Sequence, residues 1–277
     1  MFVSPKKWII AGLVMLPLQA MAGTTTASFG TINVDGTTYS SGEPGSNFNQ
    51  FSVDAGGITV NVSGWSNIDN GSGYDIRRAT DFDRNGNGWS LQNQYEGGGS
   101  PEHSADNTPD GSYLDYDFYV LDFGAQEVEL ENVYSSWLWN ENDTQVSIAA
   151  LDKNEVPSDL TGETFSSLLS TPNASSGSSD FSSSRMSINY DNDSSRNNYY
   201  ADVNVNASSS LWVVSAYHTM FGSVGGATAN NDGFKFAGIS FTTSPGGGGG
   251  GSTIPEPSTM AILALALFGL SAKRRKS

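Results

Sequence analysis

The chain has 277 residues, no cysteine and a formal net charge of −16. Without cysteine, thiolate catalysis, disulfides and Cys-ligated zinc are excluded. Six basic residues stand at the two ends (Lys6, Lys7, Lys273, Arg274, Arg275 and Lys276), so the middle is more acidic than the total; such a surface repels nucleic acid and attracts divalent cations.

Lys6 and Lys7 precede an apolar run from Trp8 to Leu18, and Ala20-Met21-Ala22 supplies the small residues of an A-x-A site. This pattern predicts a secretory signal peptide over residues 1–22, cut by signal peptidase between Ala22 and Gly23. The exported body then covers residues 23–245, long enough for one β-rich domain with a core.

That body reads as all-β, a two-sheet sandwich or jelly roll. Ile58, Val60 and Val62 alternate with polar residues; Tyr119, Leu121 and Phe123 share one face, with Phe118 and Val120 on the other. Val128 and Leu130 alternate with Glu127, Glu129 and Glu131. A turn at Asn140–Asp143 predicts a hairpin that joins this strand to Val146-Ser147-Ile148. The only expected helix is a short cap over Glu163–Ser170, and the Ser-rich stretch Asn173–Ser184 is expected to be a loop. Leu211 to Tyr217 is nearly continuous apolar, as in a strand buried on both faces. Phe234 and Phe236 are out of phase with Ile239 and Phe241, which predicts a β-bulge at Gly238.

Three groups of residues are candidates for binding. Asp81, Asp83, Asn85 and Asn87 reproduce the D-x-D-x-N start of a calcium loop, with oxygen ligands at alternate positions. The twelfth position is Gln92 rather than a bidentate Glu, so an EF-hand is excluded and a looser calcium site is expected. Calcium is the one cofactor the composition suggests. His103, Asp106 and Asn107 form a second polar cluster in which the Asp and Asn oxygens could meet a metal. Trp65 and Trp89 neighbour Gly/Asn-rich segments and are expected to be exposed enough to stack on sugar rings, whereas Trp137, Trp139 and Trp212 are expected in the core. No G-x-S-x-G, H-E-x-x-H or phosphate-loop motif occurs, and two histidines offer little for acid–base work. The expectation is a protein that is not an enzyme.

A glycine run at Gly246–Gly251 forms a flexible tether (residues 246–253) to a tail at residues 254–277. The tail runs Pro255-Glu256-Pro257, then apolar Met260–Ala272, then Lys273-Arg274-Arg275-Lys276. As a helix, about 13 apolar residues span ~20 Å, short against a bilayer core of ~30 Å. The basic end should stay cytoplasmic, with the body on the far side of the membrane.

This tripartite tail resembles the PEP-CTERM signal of Gram-negative bacteria. The resemblance implies a short transmembrane sorting helix, transient insertion in the inner membrane, and cleavage near Pro255, Glu256 and Pro257 by a membrane-embedded exosortase. The body also resembles exosortase-dependent surface proteins at Pro101–Asn107, Tyr116–Gly124 with Trp137 and Asn142–Ile148, and Leu211–Tyr217 with Phe221-Gly222 and Asp232–Phe236. That likeness implies the same address as the tail. The tail implies release from a periplasmic intermediate to the cell surface or extracellular matrix, and the two sorting signals around an acidic β body lead to the expectation of an exopolysaccharide-rich envelope or biofilm. Extracellular polysaccharide is the expected partner, with a carbohydrate-binding module as the alternative function.

Overall fold

The structure is a computed structural model that describes residues 23–39, 48–69, 71–85, 88–96, 104–109, 114–141, 143–183, 199–228 and 230–243. In chain order the strands are β1 (Thr25–Ser28), β2 (Ile32–Val34), β3 (Thr37–Tyr39), β4 (Gln50–Ala55), β5 (Ile58–Asp69), β6 (Tyr74–Arg78), β7 (Asp81–Asn85), β8 (Gly88–Gln92), β9 (Ala105–Asp106), β10 (Leu114–Asp122), β11 (Val128–Leu138) and β12 (Gln145–Leu151). A short helix α1 (Phe165–Leu169) follows, then β13 (Ser175–Asp180), β14 (Ser182–Ser183), β15 (Tyr199–Asp202), β16 (Leu211–Ala216) and β17 (Gly233–Thr243).

The chain is nearly all-β, as its alternating pattern predicts, and forms two antiparallel sheets. Among the described residues the first sheet runs β14-β15-β11-β17-β8-β7, with β1 and β9 also on β17. The second runs β13-β12-β16-β10-β5-β4-β2-β3, with β6 on β5. The sheets bury one row of each strand against the other. Tyr119, Leu121 and Phe123 of β10 and its extension meet Trp89 and Leu91 of β8 and Phe234, Phe236, Ile239 and Phe241 of β17. The opposite row of β10, Phe118 and Val120, joins Leu211 and Val213 of β16 in a second cluster, which α1 covers with Phe165 and Leu168. β16 is therefore buried on both faces, as its unbroken apolar run predicts.

α1 lies inside the predicted helix. Thr164 accepts from the Ser167 N–H at 3.0 Å, and Ser167 Oγ accepts from the Thr164 N–H at 2.9 Å, a reciprocal cap that satisfies two otherwise orphaned donors. The predicted bulge is present. Tyr134 pairs with Gly238 and Ser135 with Phe236, so Ala237 is the extra residue and β17 changes phase there. That phase change lets both Phe234/Phe236 and Ile239/Phe241 face the core.

Two expectations are corrected. β11 and β12 do not form a hairpin: β11 lies in the first sheet on β15 and β17, β12 in the second on β13 and β16. The Asn140–Asp143 turn is a crossover between sheets, fixed where the Gln145 N–H donates to Asp232 Oδ1 at 2.7 Å. The serine-rich stretch is not a loop over its described part. Ser175–Asp180 pairs with β12 along its length, and Ser179 Oγ donates to the Asp202 carbonyl at 2.6 Å, so serine hydroxyls and backbone supply the cohesion that apolar side chains would elsewhere.

Candidate functional site

β10 carries carboxylates at alternate positions in the phase of its core-facing row. Asp115 and Asp117 point the same way as Tyr119 and Leu121, and so enter the end of the space between the sheets. Asp115 is buried and Asp117 is 0 % exposed. Glu96, from the segment after β8, completes a group in which one oxygen of each of the three lies within 4.8 Å of the others. It is the only such grouping of metal-ligating side chains among the described residues.

Asn93 organises the group. Its side-chain amide donates to Asp115 Oδ2 and, at 3.4 Å, to Ser66 Oγ. Its backbone N–H donates to Glu96 Oε2 at 2.7 Å, and its own Oδ1 accepts from the Tyr95 N–H at 2.9 Å. Neither oxygen of Asp117 accepts a hydrogen bond; Ser66 and Asn93 stand near enough to ease its charge without reaching hydrogen-bond geometry. Burial, and then the fields of Asp115 and Asp106, push the Asp117 carboxyl well above the usual carboxylate range. Glu96 is partly exposed, but its carboxyl end is withdrawn from water. Burial and the neighbouring Asp117, Asp106 and Asp115 push it far up as well. The basic side chains described are engaged elsewhere: Arg77 on Asp75, Arg78 on Gln50, Lys153 on Asp122 and Lys235 over the Trp137 ring.

The sequence signal for Asp115 and Asp117 was present in their phase: acids standing in register with a core row are out of place unless something meets them. Glu96 carries no comparable signal, because only the fold brings it there.

Of the predicted polar cluster, Asp106 lies on β9 and its charge acts on both Glu96 and Asp117, although it was expected to work with Asn107. Asn107 turns to Asp232 and the Tyr217 carbonyl instead. His103 lies outside the described residues. Asp81 and Asp83 sit on the extended strand β7 rather than in a wrapped loop, and Asp81 Oδ1 accepts from the Phe48 N–H at 3.1 Å. Asn85 ends that strand against Gly88, and Asn87 is outside the described residues.

The tryptophans invert the expectation. Trp65 is 2 % exposed and Trp89 0 %. Trp89 donates its indole N–H to the Phe29 carbonyl at 2.9 Å among Phe48, Phe51 and Phe82. Trp65 lies under the Arg78 guanidinium, 4.9 Å above its ring, at the edge of a cleft of ≈ 480 Å³ that Asn61, Ser63 and Lys153 also line. Trp212 is in the core as expected. Trp139, expected in the core, is 45 % exposed; Trp137 is half-buried beside it, ring centres 6.2 Å apart at 46°. Both stand opposite Leu138, which faces the core, and so look outward from the first sheet.

Residues 253–276 match the family model of the PEP-CTERM protein-sorting motif. The tail is a PEP-CTERM sorting motif. It contains the predicted processing residues Pro255, Glu256 and Pro257, which lie outside the described residues, as do the expected sorting helix, the glycine run and the expected signal cleavage residues Ala20 and Ala22; Gly23 opens the described chain. A PEP-CTERM motif implies exosortase-dependent sorting of an exported protein, through the membrane to the cell surface. No helix among the described residues is long and apolar enough to cross a membrane. No curated protein and no solved structure matches the chain.

Proposed function

We propose that this is a non-enzymatic surface or matrix protein, released by an exosortase at Pro255–Pro257 into an exopolysaccharide-rich envelope or biofilm. The observation that carries the reading is the sorting motif at residues 253–276, separated by a glycine tether from an acidic β-sandwich. Mass spectrometry of the surface-released protein tests it. The mature chain is expected to end near Pro255–Pro257 and to lack Lys273–Ser277; an intact basic end on released material overturns the reading.

A second reading, a polysaccharide contact, is favoured by the outward pair Trp137 and Trp139. An exposed indole face packs on the C–H face of a pyranose, and the Lys235 Nζ, 5.2 Å from the Trp137 ring centre, lends the patch positive charge in an acidic body. Trp65 and Trp89 are too covered for this role. Signal peptidase acts earlier, at the Ala22–Gly23 bond.

A further inference from the structure

We propose that Glu96, Asp115 and Asp117 form a calcium site between the sheets, a structural ion that ties the end of β10 to the segment after β8. The grouping alone would not carry this. What carries it is Asp117: fully buried, aimed into the space that Glu96 and Asp115 share, and with both carboxylate oxygens unmet by any hydrogen bond. A buried carboxylate without a partner is strongly unfavourable, so a native fold meets it with a proton, a cation or donors. Ser66 and Asn93 do not complete hydrogen bonds to it, and no described lysine or arginine bonds to it.

The geometry selects the cation. Two oxygens bound to one calcium at 2.3–2.6 Å stand at most about 5 Å apart, and the three here fall within 4.8 Å. All donors are hard oxygens, with no histidine or cysteine in the group, which disfavours zinc and copper. Asn93 holds Asp115 and Glu96 from the side, its amide on Asp115 Oδ2 and its backbone N–H on Glu96 Oε2. Glu96 is the one partly exposed residue of the three. The site is distinct from the Asp81/Asp83 strand, where the sequence pattern alone pointed.

The test uses the full chain, purified in detergent, stripped with EDTA and titrated with CaCl₂ by isothermal calorimetry, with melting followed in parallel. One calcium per chain and a rise in melting temperature are expected. Asp117→Asn and Glu96→Gln should each abolish the binding heat and the calcium-dependent rise, whereas Asp83→Asn should keep both. Glu96, at the rim, serves if Asp117→Asn does not fold. The proposal is overturned if the unmodified chain takes up no calcium, which would mean that protons hold the carboxyls. It is equally overturned if Glu96→Gln binds as well as the parent, or if Asp83→Asn loses the ion instead.

Discussion

Asn107 and Asp232, 125 residues apart, are joined by three hydrogen bonds. The Asn107 backbone N–H donates to the Asp232 carbonyl at 3.2 Å, its side-chain amide to Asp232 Oδ2 at 2.8 Å, and the Asp232 N–H returns to Asn107 Oδ1 at 2.9 Å. The same Asn107 amide reaches the Tyr217 carbonyl at 2.9 Å, and Asp232 Oδ1 takes the Gln145 N–H. One buried pair thereby holds β9, the start of β12, the end of β16 and the start of β17 at one end of the sandwich.

Asn107→Ala should therefore cost more than a surface change. It strands the Asp232 N–H and removes a donor from a buried carboxylate. Each buried group left unsatisfied costs about 1–3 kcal/mol, so a loss of about 2–4 kcal/mol is expected by urea denaturation. Asp232→Ala should lose a similar amount. The double variant should lose less than the sum, because both changes break one network.

Asp232 also sets a pH dependence. Burial raises its pKa to about 7, only partly offset by the hydrogen bonds from Gln145 and Asn107, with Asp143 and Asp180 adding to the rise. The free carboxyl titrates near ~3.9, so between about pH 4 and pH 7 the folded chain binds more protons than the unfolded one. The stability this group contributes is full below about pH 4 and is lost as the pH climbs through 7. Asp232→Asn cannot titrate. The advantage of the parent over this variant should shrink across that window and level off above it, read from paired denaturation curves at each half unit of pH.

Trp139→Ala should leave stability within about 1 kcal/mol, because the ring is 45 % exposed, while Trp89→Ala should cost about 3–5 kcal/mol by opening a large core cavity. If the outward pair contacts polysaccharide, Trp139→Ala also elutes earlier from a polysaccharide affinity column, and Trp137→Ala does the same. Equal retention of all variants would remove the sugar contact while leaving the sorting intact.

The misplacement of these tryptophans shows where sequence reading fails in this fold. Strand phase was legible wherever apolar residues alternate with polar ones, as in β10, and the unbroken run of β16 announced burial on both faces. Trp137 and Trp139 looked core-facing, but the register shift between Ser135 and Trp137, where Ser136 is the extra residue of β11, changes the phase of that strand before the tryptophans arrive. Trp65 and Trp89 looked exposed because glycine and asparagine surround them, yet Gly64, next to Trp65, lies against the core itself. A Cβ on Gly64 would stand 2.3 Å from Leu91 Cδ2, so only glycine admits the core side chains there. Asp115 and Asp117 were legible by phase, but their partner Glu96 comes from a different segment, and nothing local announces it.

Gly238 offers the sharpest test of the bulge. Its φ is +158°, and a Cβ would lie 2.3 Å from the Ala27 carbonyl oxygen, which is backbone and cannot swing aside as a side-chain tip could. Ala27 belongs to β1, which pairs only with β17 among the described residues, through Thr25–Phe241 to Ser28–Gly238. Gly238→Ala must therefore push β1 off or flatten the bulge. Flattening would turn either Phe234 and Phe236 or Ile239 and Phe241 out of the core, so loss of β1 is the cheaper response. A cost of about 1–3 kcal/mol is expected, as for other overpacked sites. Hydrogen exchange should speed up at Phe29, whose N–H donates to the Ala237 carbonyl at 2.9 Å, while β10 and β16 stay protected. Uniform acceleration across both sheets would mean that β1 cannot detach locally and that the bulge is part of the global core.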